Sequence, residues 1–549
     1  MPTSNELKFI SRRSPVYGLG GMVATSQPLA VAAGLEILSQ GGTAADAAIA
    51  TAAALNVTEP TSTGLGGDCF ALYYEASSGQ ISALNGSGRA PASLTIERLR
   101  KEGLEGNLPP LHPYTITVPG ACAGWCDLLA HYGRLPLTKV LAPAIRLAEQ
   151  GFPVTPITAY FWERSTERLR NALGSIELTI DGRTPLAGEI FHNHGLARTL
   201  RRIAEGGKAA FYQGEIAEAI ASVVHKAGGC LTADDLAAHT STWEQPISTT
   251  YRNLRVWECP PNGQGLAALL ALNLLEGFDI ASMPPLTAQR LHLMIEAMRL
   301  AFADTRWYVA DPAFSPAPLE WLLSKDYAGE RRKLIHTKHA TLDQSRGTAT
   351  SSSDTVYLSV VDAEGNACSF INSNYMGFGT GIVPFGWGFT LQNRGVGFSL
   401  DSSHPNALAP GKRPYHTIIP GMITVDSTGT SRLPNTLYAS FGVMGGFMQP
   451  QGHMQVVIGL SDDGLDPQAA LDRPRFCIDD GSAGGQVALE EGISPEVQSE
   501  LGRMGHFLYS VSGYARSTFG RGQIIRRDAT TGVLCGGSDP RADGCAMSL

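Results

Sequence analysis

An α+β fold of layered antiparallel sheets is what this sequence predicts, and three observations carry the prediction. Helical apolar periodicity dominates from about residue 120 to 330, strand-like runs dominate beyond Thr355, and hairpin signals occur in both halves. No regular alternation of strand and helix appears, so a sandwich fits better than a βαβ series. The chain has 549 residues, 43% of them hydrophobic, enough to bury a large core. Length alone sets a prior of about two to four domains, although one large sandwich also reaches this size.

The elements follow in order. From Gly21 a short apolar run leads into an Ala/Leu helix after Pro28, which stops at Gly41-Gly42. A second helix, capped by Thr43, is so rich in alanine that it must pack closely against something flat, such as a sheet. The stretch "FALYYEASSGQISALNGSGRAP" reads as two strands turning at Ser78-Gly79. In "AQRLHLMIEAMRLAFADTRWYV", Leu291, Met294, Ile295 and Met298 share one helical face. A polar zone, "SRGTATSSSD", then separates the helical half from a hairpin. Its first strand opens at Thr355, its turn is Asp362 to Asn366, and its second strand runs from Ala367 to Ile371. No repeat at solenoid periods is present.

Composition excludes several function classes. A formal charge of −8, without basic runs interleaved with aromatics, argues against nucleic acid as a partner. No apolar run approaches a membrane span, and "MPTSNELKFISRRSPVYG" lacks the apolar segment of a secretory signal, so a cytoplasmic location is expected. Nine scattered cysteines without regular spacing indicate reduced, mostly buried thiols. Cys122 and Cys126 can share a helix face, but with no His or Cys nearby they make a poor metal site. "GLGGM", "GLGGD" and "GVMGGF" lack the spacing of a phosphate-binding loop, no His-Glu-x-x-His helix exists, and the dispersed histidines define no Ser/His/Asp triad.

Thr355 remains as a candidate nucleophile. On residue pattern alone, an ordinary loop entering an ordinary strand is the simpler reading. A threonine hydroxyl becomes reactive when a base sits beside it, and one solution is the residue's own α-amino group at a chain terminus. That amine has an ordinary pKa of about 7.7–8, suited to accept the hydroxyl proton. A mid-chain threonine reaches this state by attacking the preceding carbonyl, forming an ester that water then cleaves. The polar segment Thr348 to Asp354 is what such a cleavage would need.

Landmarks along nearly the whole chain now enter: "GMVAT", "GLEILSQGGTAADAAIA", "GLGGDCF", "TVYLSVVDAEGNA", "GFGTGIV", "GKRP", "GVMGGF" and "GGSDPRADG". In this order they resemble the γ-glutamyltransferase family, a branch of the N-terminal-nucleophile hydrolases. The resemblance implies a four-layer αββα sandwich made from a self-cleaving precursor. It aligns Thr355 with the processing and catalytic threonine, which implies cleavage after Asp354, a large subunit 1–354 and a small subunit 355–549. It places Gly445 and Gly446 at the oxyanion hole and Ser373 at a hydroxyl residue that supports the nucleophile. No metal or organic cofactor is implied, and the partners are a small amide substrate and the two processed subunits, with a dimer of heterodimers as a compatible assembly.

The sequence also departs from the family. Where glutamyl enzymes hold the substrate α-carboxylate with an arginine, this chain has Ser87, with Arg89 two residues later. The paired serines are His416 and Thr417, the ammonium-binding aspartate is Gly397, an amide-bearing neighbour is Arg394, and an asparagine is Tyr375. Losing a carboxylate and gaining Arg394 disfavours an ammonium and favours an anion. Tyr375, Phe378 and Trp387 either narrow the pocket or belong to the core. The expected donor is therefore a small carboxylate-bearing amide without an α-amino group, of the oxamate type, oriented by Arg89 or Arg394 with His416 and Thr417. Glutathione hydrolysis or γ-glutamyl transfer, a glutaryl or cephalosporin acylase, and an uncleaved carboxylate-binding relative are the alternatives.

Overall fold

The computed structural model describes residues 13–342, 354–426, 435–482 and 484–549. Thr348 to Ser353, in the segment expected to support cleavage, and the side chain of Asp354 lie outside the described residues.

Fourteen strands form two seven-stranded sheets among these residues: Val16–Gly18 (β1), Gly21–Thr25 (β2), Asp68–Glu75 (β3), Gln80–Gly86 (β4), Thr242–Glu244 (β5), Ile247–Tyr251 (β6), Leu254–Glu258 (β7), Asp354–Asp362 (β8), Ala367–Tyr375 (β9), Gly421–Asp426 (β10), Asn435–Met444 (β11), Arg521–Arg527 (β12), Leu534–Ser538 (β13) and Cys545–Ser548 (β14). One sheet runs β1-β13-β12-β11-β10-β7-β6 and the other β14-β2-β8-β9-β3-β4-β5. All pairings within both are antiparallel. The sheets face each other through β8 against β11 and β12.

Helices cover both outer faces. Pro28–Ser39 (α1) and Ala44–Thr58 (α2) lie on the sheet that carries β8, with Ala121–Tyr132 (α3) beside them over β3 and β4. Gly265–Leu275 (α4) and Met448–Ser461 (α6) cover the other sheet, and Ala288–Tyr308 (α5) packs on α4. The result is the expected αββα sandwich. Every residue of α2 is buried, as its alanine content demands. Its start carries a reciprocal cap, in which Thr43 Oγ1 accepts from Asp46 N and Asp46 accepts from Thr43 N at 2.9 Å. Asp362, in the β8–β9 turn, accepts from Ala44 N at 2.9 Å and from Asn366 N at 2.9 Å. One carboxylate thus closes the hairpin and anchors the helix behind it.

Several boundaries move. β8 begins one residue earlier, at Asp354, and β9 continues past Ile371 to Tyr375. The supposedly helical stretch contributes β5, β6 and β7, whose period-2 burial is brief enough to hide between longer helices. The C-terminal part includes α6, Pro467–Asp472 and Pro495–Arg503 (α7) as well as strands. On α5 the expected apolar face is buried, but so are Arg290, His292, Glu296 and Arg299. The nine cysteines are all free thiols, and only Cys126 and Cys545 are partly exposed. Among the described residues no helix is long and apolar enough to cross a membrane.

Candidate functional site

Thr355 sits at a register irregularity between Asp354 and Val356, where the β8–β9 ladder shifts. Such bulges re-aim a side chain at a strand end. The Thr355 side chain is fully buried and donates to Ser373 Oγ at 3.1 Å. Ser373 Oγ also accepts from Tyr375 N at 2.9 Å and from Arg394 Nη2 at 3.3 Å. Tyr375 adopts φ of 75°, which few non-glycine residues do outside constrained sites. That conformation folds the end of β9 back so that its amide meets Ser373.

Arg394 opens a short 3₁₀ turn, Arg394–Gly397, and is fully buried. Its Nη1 donates to Thr417 Oγ1 at 2.7 Å, and its guanidinium lies 4.5 Å from the Tyr375 ring centroid. Burial pulls its pKa down to about 10, so it remains a cation at neutral pH. Among the described residues its Nε has no hydrogen-bond partner.

A second pair flanks this cation. His416 Nε2 lies 2.9 Å from Asp68 Oδ2, with both side chains wholly buried. Burial, reinforced by Arg394, lowers the His416 pKa to about 4, so the ring is neutral. Burial pushes the Asp68 carboxyl up, but the hydrogen bond from His416 and the charge of Arg394 outweigh it and hold the group below the usual carboxylate range. A carboxylate partner puts the imidazole proton on Nε2, leaving Nδ1 as an acceptor that no protein group uses among the described residues. Asp68 Oδ1 accepts from Gly88 N, Gly120 N and Gln392 Nε2 at 2.9, 3.0 and 2.9 Å.

Gly445 and Gly446 follow β11 and lead into α6 with φ of 136° and 59°, values that favour glycine. Gln264 Nε2 braces the turn by donating to the Gly446 carbonyl at 2.8 Å and to the Thr417 carbonyl at 2.6 Å. Among the described residues neither glycine amide donates a hydrogen bond.

Thr355, Ser373, Tyr375, Arg394 and Thr417 therefore share one contact network. His416 joins it through its chain neighbour Thr417 and through Asp68, which pairs with Ser373 in the sheet. Arg89 lies elsewhere: its Nη1 donates to the Thr240 carbonyl at 3.1 Å. Buried Arg413, bonded to the Ser87 and Thr240 carbonyls, fills the space between. Ser87 itself donates to Asn85 Oδ1 at 2.6 Å. Gly397 tolerates no side chain easily, because an added Cβ would lie 2.7 Å from the Tyr415 carbonyl oxygen. Phe378 packs in the core near Trp162, and buried Trp387 lies under Arg198, so both are core aromatics. Asp68, Gln264 and Gln392 are site residues that residue-by-residue reading missed. Asp68 carried one signal, a charge closing "GLGGD" just where a buried strand starts.

Comparisons with known proteins agree with one another. The Gamma-glutamyltranspeptidase family model matches residues 30–549. The chain is 37% identical over 541 residues to the Glutathione hydrolase-like YwrD proenzyme of Bacillus subtilis (strain 168), covering 97% of this chain and 99% of that protein. It is 33% identical over 534 residues to the Oxamate amidohydrolase proenzyme of Klebsiella pneumoniae subsp. pneumoniae, covering 96% and 98%. The crystal structure of cephalosporin acylase from Bacillus halodurans superposes with a TM-score of 0.90 at 49% identity, covering 100% of this chain and 99% of that one.

Proposed function

The chain belongs to the gamma-glutamyltranspeptidase family, and on that premise we propose that it is a self-processing amidohydrolase acting on a small carboxylate-bearing amide of the oxamate type. The Thr355 hydroxyl attacks the Asp354 carbonyl, the acyl group shifts from nitrogen to oxygen, and water cleaves the ester. The products are a large subunit ending in the Asp354 carboxylate and a small subunit starting with the Thr355 amine. In turnover that amine takes the hydroxyl proton, Thr355 Oγ1 attacks the substrate carbonyl, and ammonia leaves after protonation. The Gly445 and Gly446 amides receive the oxyanion, and water releases the acyl group as a dicarboxylate.

One observation carries the substrate class: the Thr355–Ser373–Arg394 relay. Its two hydrogen bonds, 3.1 and 3.3 Å, put Arg394 Nη2 no more than about 6.4 Å, their sum, from the nucleophile oxygen. An attacked carbonyl carbon needs about 3–3.5 Å of that span, and a carboxylate held by arginine needs about 2.7–2.9 Å. A separation this short suits a carboxylate close to the scissile carbonyl. The unused His416 Nδ1 suits a substrate N–H, and the steric block at Gly397 supports the loss of the ammonium site.

A second reading, an acylase removing a glutaryl-type group, is favoured by the likeness to the Bacillus halodurans acylase structure. Parallel hydrolysis assays of oxamate, a glutaryl amide and a γ-glutamyl anilide separate the readings. The highest kcat/KM is expected for oxamate. Preference for the glutaryl amide supports the second reading, and preference for the γ-glutamyl compound overturns both.

A further inference from the structure

A second polar cluster lies on the other helical layer, where α5 packs against α7. His292 and Glu296, one turn apart on α5, meet His506 from the loop after α7. All three are buried, with exposures of 0, 2 and 4%, and one ligating atom from each lies within 4.8 Å of the others. A solvated surface cluster is therefore excluded.

Their hydrogen bonds show what they lack. His292 Nε2 donates to the His336 carbonyl at 2.8 Å, which places its proton there and leaves Nδ1 as a lone pair. That Nδ1 faces His506 Nε2 at 2.8 Å. Glu296 Oε2 accepts from Thr341 N at 2.8 Å, while Glu296 Oε1 and His506 Nδ1 have no hydrogen-bond partner among the described residues. Arg299, with Nε 3.7 Å from Glu296 Oε1, supplies the nearest balancing charge. Buried polar atoms without hydrogen bonds are costly and call for an explanation. Two neutral imidazoles, one already oriented by a backbone carbonyl, plus a carboxylate form an N/N/O donor set of the kind that takes zinc.

We propose that His292, Glu296 and His506 form a binding site for a divalent transition metal, with Zn²⁺ the best match and water completing the coordination. Zinc bonds of about 2.0–2.2 Å require the donors to draw together by modest side-chain rotations. The site has a place in the processed molecule. His292 and Glu296 precede Thr355 and His506 follows it, so the ion would staple the large chain to the small one. That role rests on the processing reading, whereas the site itself does not.

The test uses full-length processed protein, stripped with a chelator and titrated with ZnCl₂. We expect one equivalent bound per large–small pair and a rise in Tm. Co²⁺ in place of Zn²⁺ should give the visible bands of a low-coordinate N/O site in the wild type, a readout independent of any variant. His506→Gln and Glu296→Gln should each weaken binding by more than about 100-fold, beyond the loss of an outer-shell partner. Absence of stoichiometric binding to folded wild type would overturn the site, as would binding unchanged in both variants. Binding by an uncleaved chain would keep the site and remove only the staple.

Discussion

Ser373 joins Thr355 to a buried cation: its Oγ accepts from both Thr355 and Arg394. Among the described residues Arg394 makes no ion pair with a carboxylate, and Asp68 is the carboxylate whose charge acts on it most. Buried cations are costly, and one positioned in this way is suited to bind an anion. Replacing it with a neutral side chain, Arg394→Gln, should cost about 2 to 5 kcal/mol of substrate binding, roughly a 30- to 5,000-fold fall in kcat/KM carried mainly by KM. Arg89→Ala, at a side chain turned toward Thr240, should change kcat/KM by less than about tenfold in the same assay; equal effects of both substitutions would count against Arg394. His416 offers a separate readout. Its folded pKa, about 4, lies below the unfolded value of about 6.5, so the unfolded chain binds a proton that the native one refuses between those limits. Stability from the neutral ring is complete above about pH 6.5 and is lost as pH falls toward 4. The margin of wild type over His416→Gln in urea melts should therefore shrink by about 1.4 kcal/mol per pH unit across that window. A margin independent of pH would mean that the ring is not held neutral.

At the scale of elements, the two sheets meet closely where β8 crosses β11. The Tyr357 ring lies over Gly442, and a Cβ there would come within 2.5 Å of it. Tyr357 OH shares a 2.8 Å hydrogen bond with Ser369 Oγ, and Ser359 Oγ donates to Ser440 Oγ at 2.7 Å. β8, the strand that carries Thr355, is thereby pinned from the facing sheet and its own partner. Gly442→Val should destabilise the fold by about 1–3 kcal/mol by overpacking, and by displacing β8 it should also slow chain cleavage. Wild-type stability together with wild-type cleavage would show that this contact does not position Thr355. Much at this scale was legible in the sequence. The alanine run of α2, its Thr43 cap and the turn chemistry of Asp362 to Asn366 are local signals, and local forces decided them. The strands β5 to β7 were not legible: β5 pairs with distant β4, and the local β6–β7 hairpin, turning at Arg252-Asn253, is short enough to hide between longer helices. The burial of the α5 charges was hidden because it depends on distant packing: His292 and Glu296 are enclosed only where α7 meets α5.

For the whole molecule, the αββα arrangement brings Asp68, Thr355, Arg394, His416 and Gly446 together from segments spread over nearly 400 residues. Sequence placed Thr355 and the glycine pair through family resemblance. It left open the choice between Arg89 and Arg394, which turns on Arg413 occupying the space beside Ser87. It also missed Asp68, whose role appears only when β3 pairs with β9 and sets the carboxylate beside His416. The account depends on this buried assembly converting Thr355 into a chain terminus. Intact-mass analysis with N-terminal sequencing of catalytically active protein tests that claim most directly. Two chains are predicted, the smaller beginning Thr355-Val356-Tyr357, and Thr355→Ala should remain one inactive 58.2 kDa chain. Full activity in an unbroken polypeptide, or normal cleavage of Thr355→Ala, would contradict it.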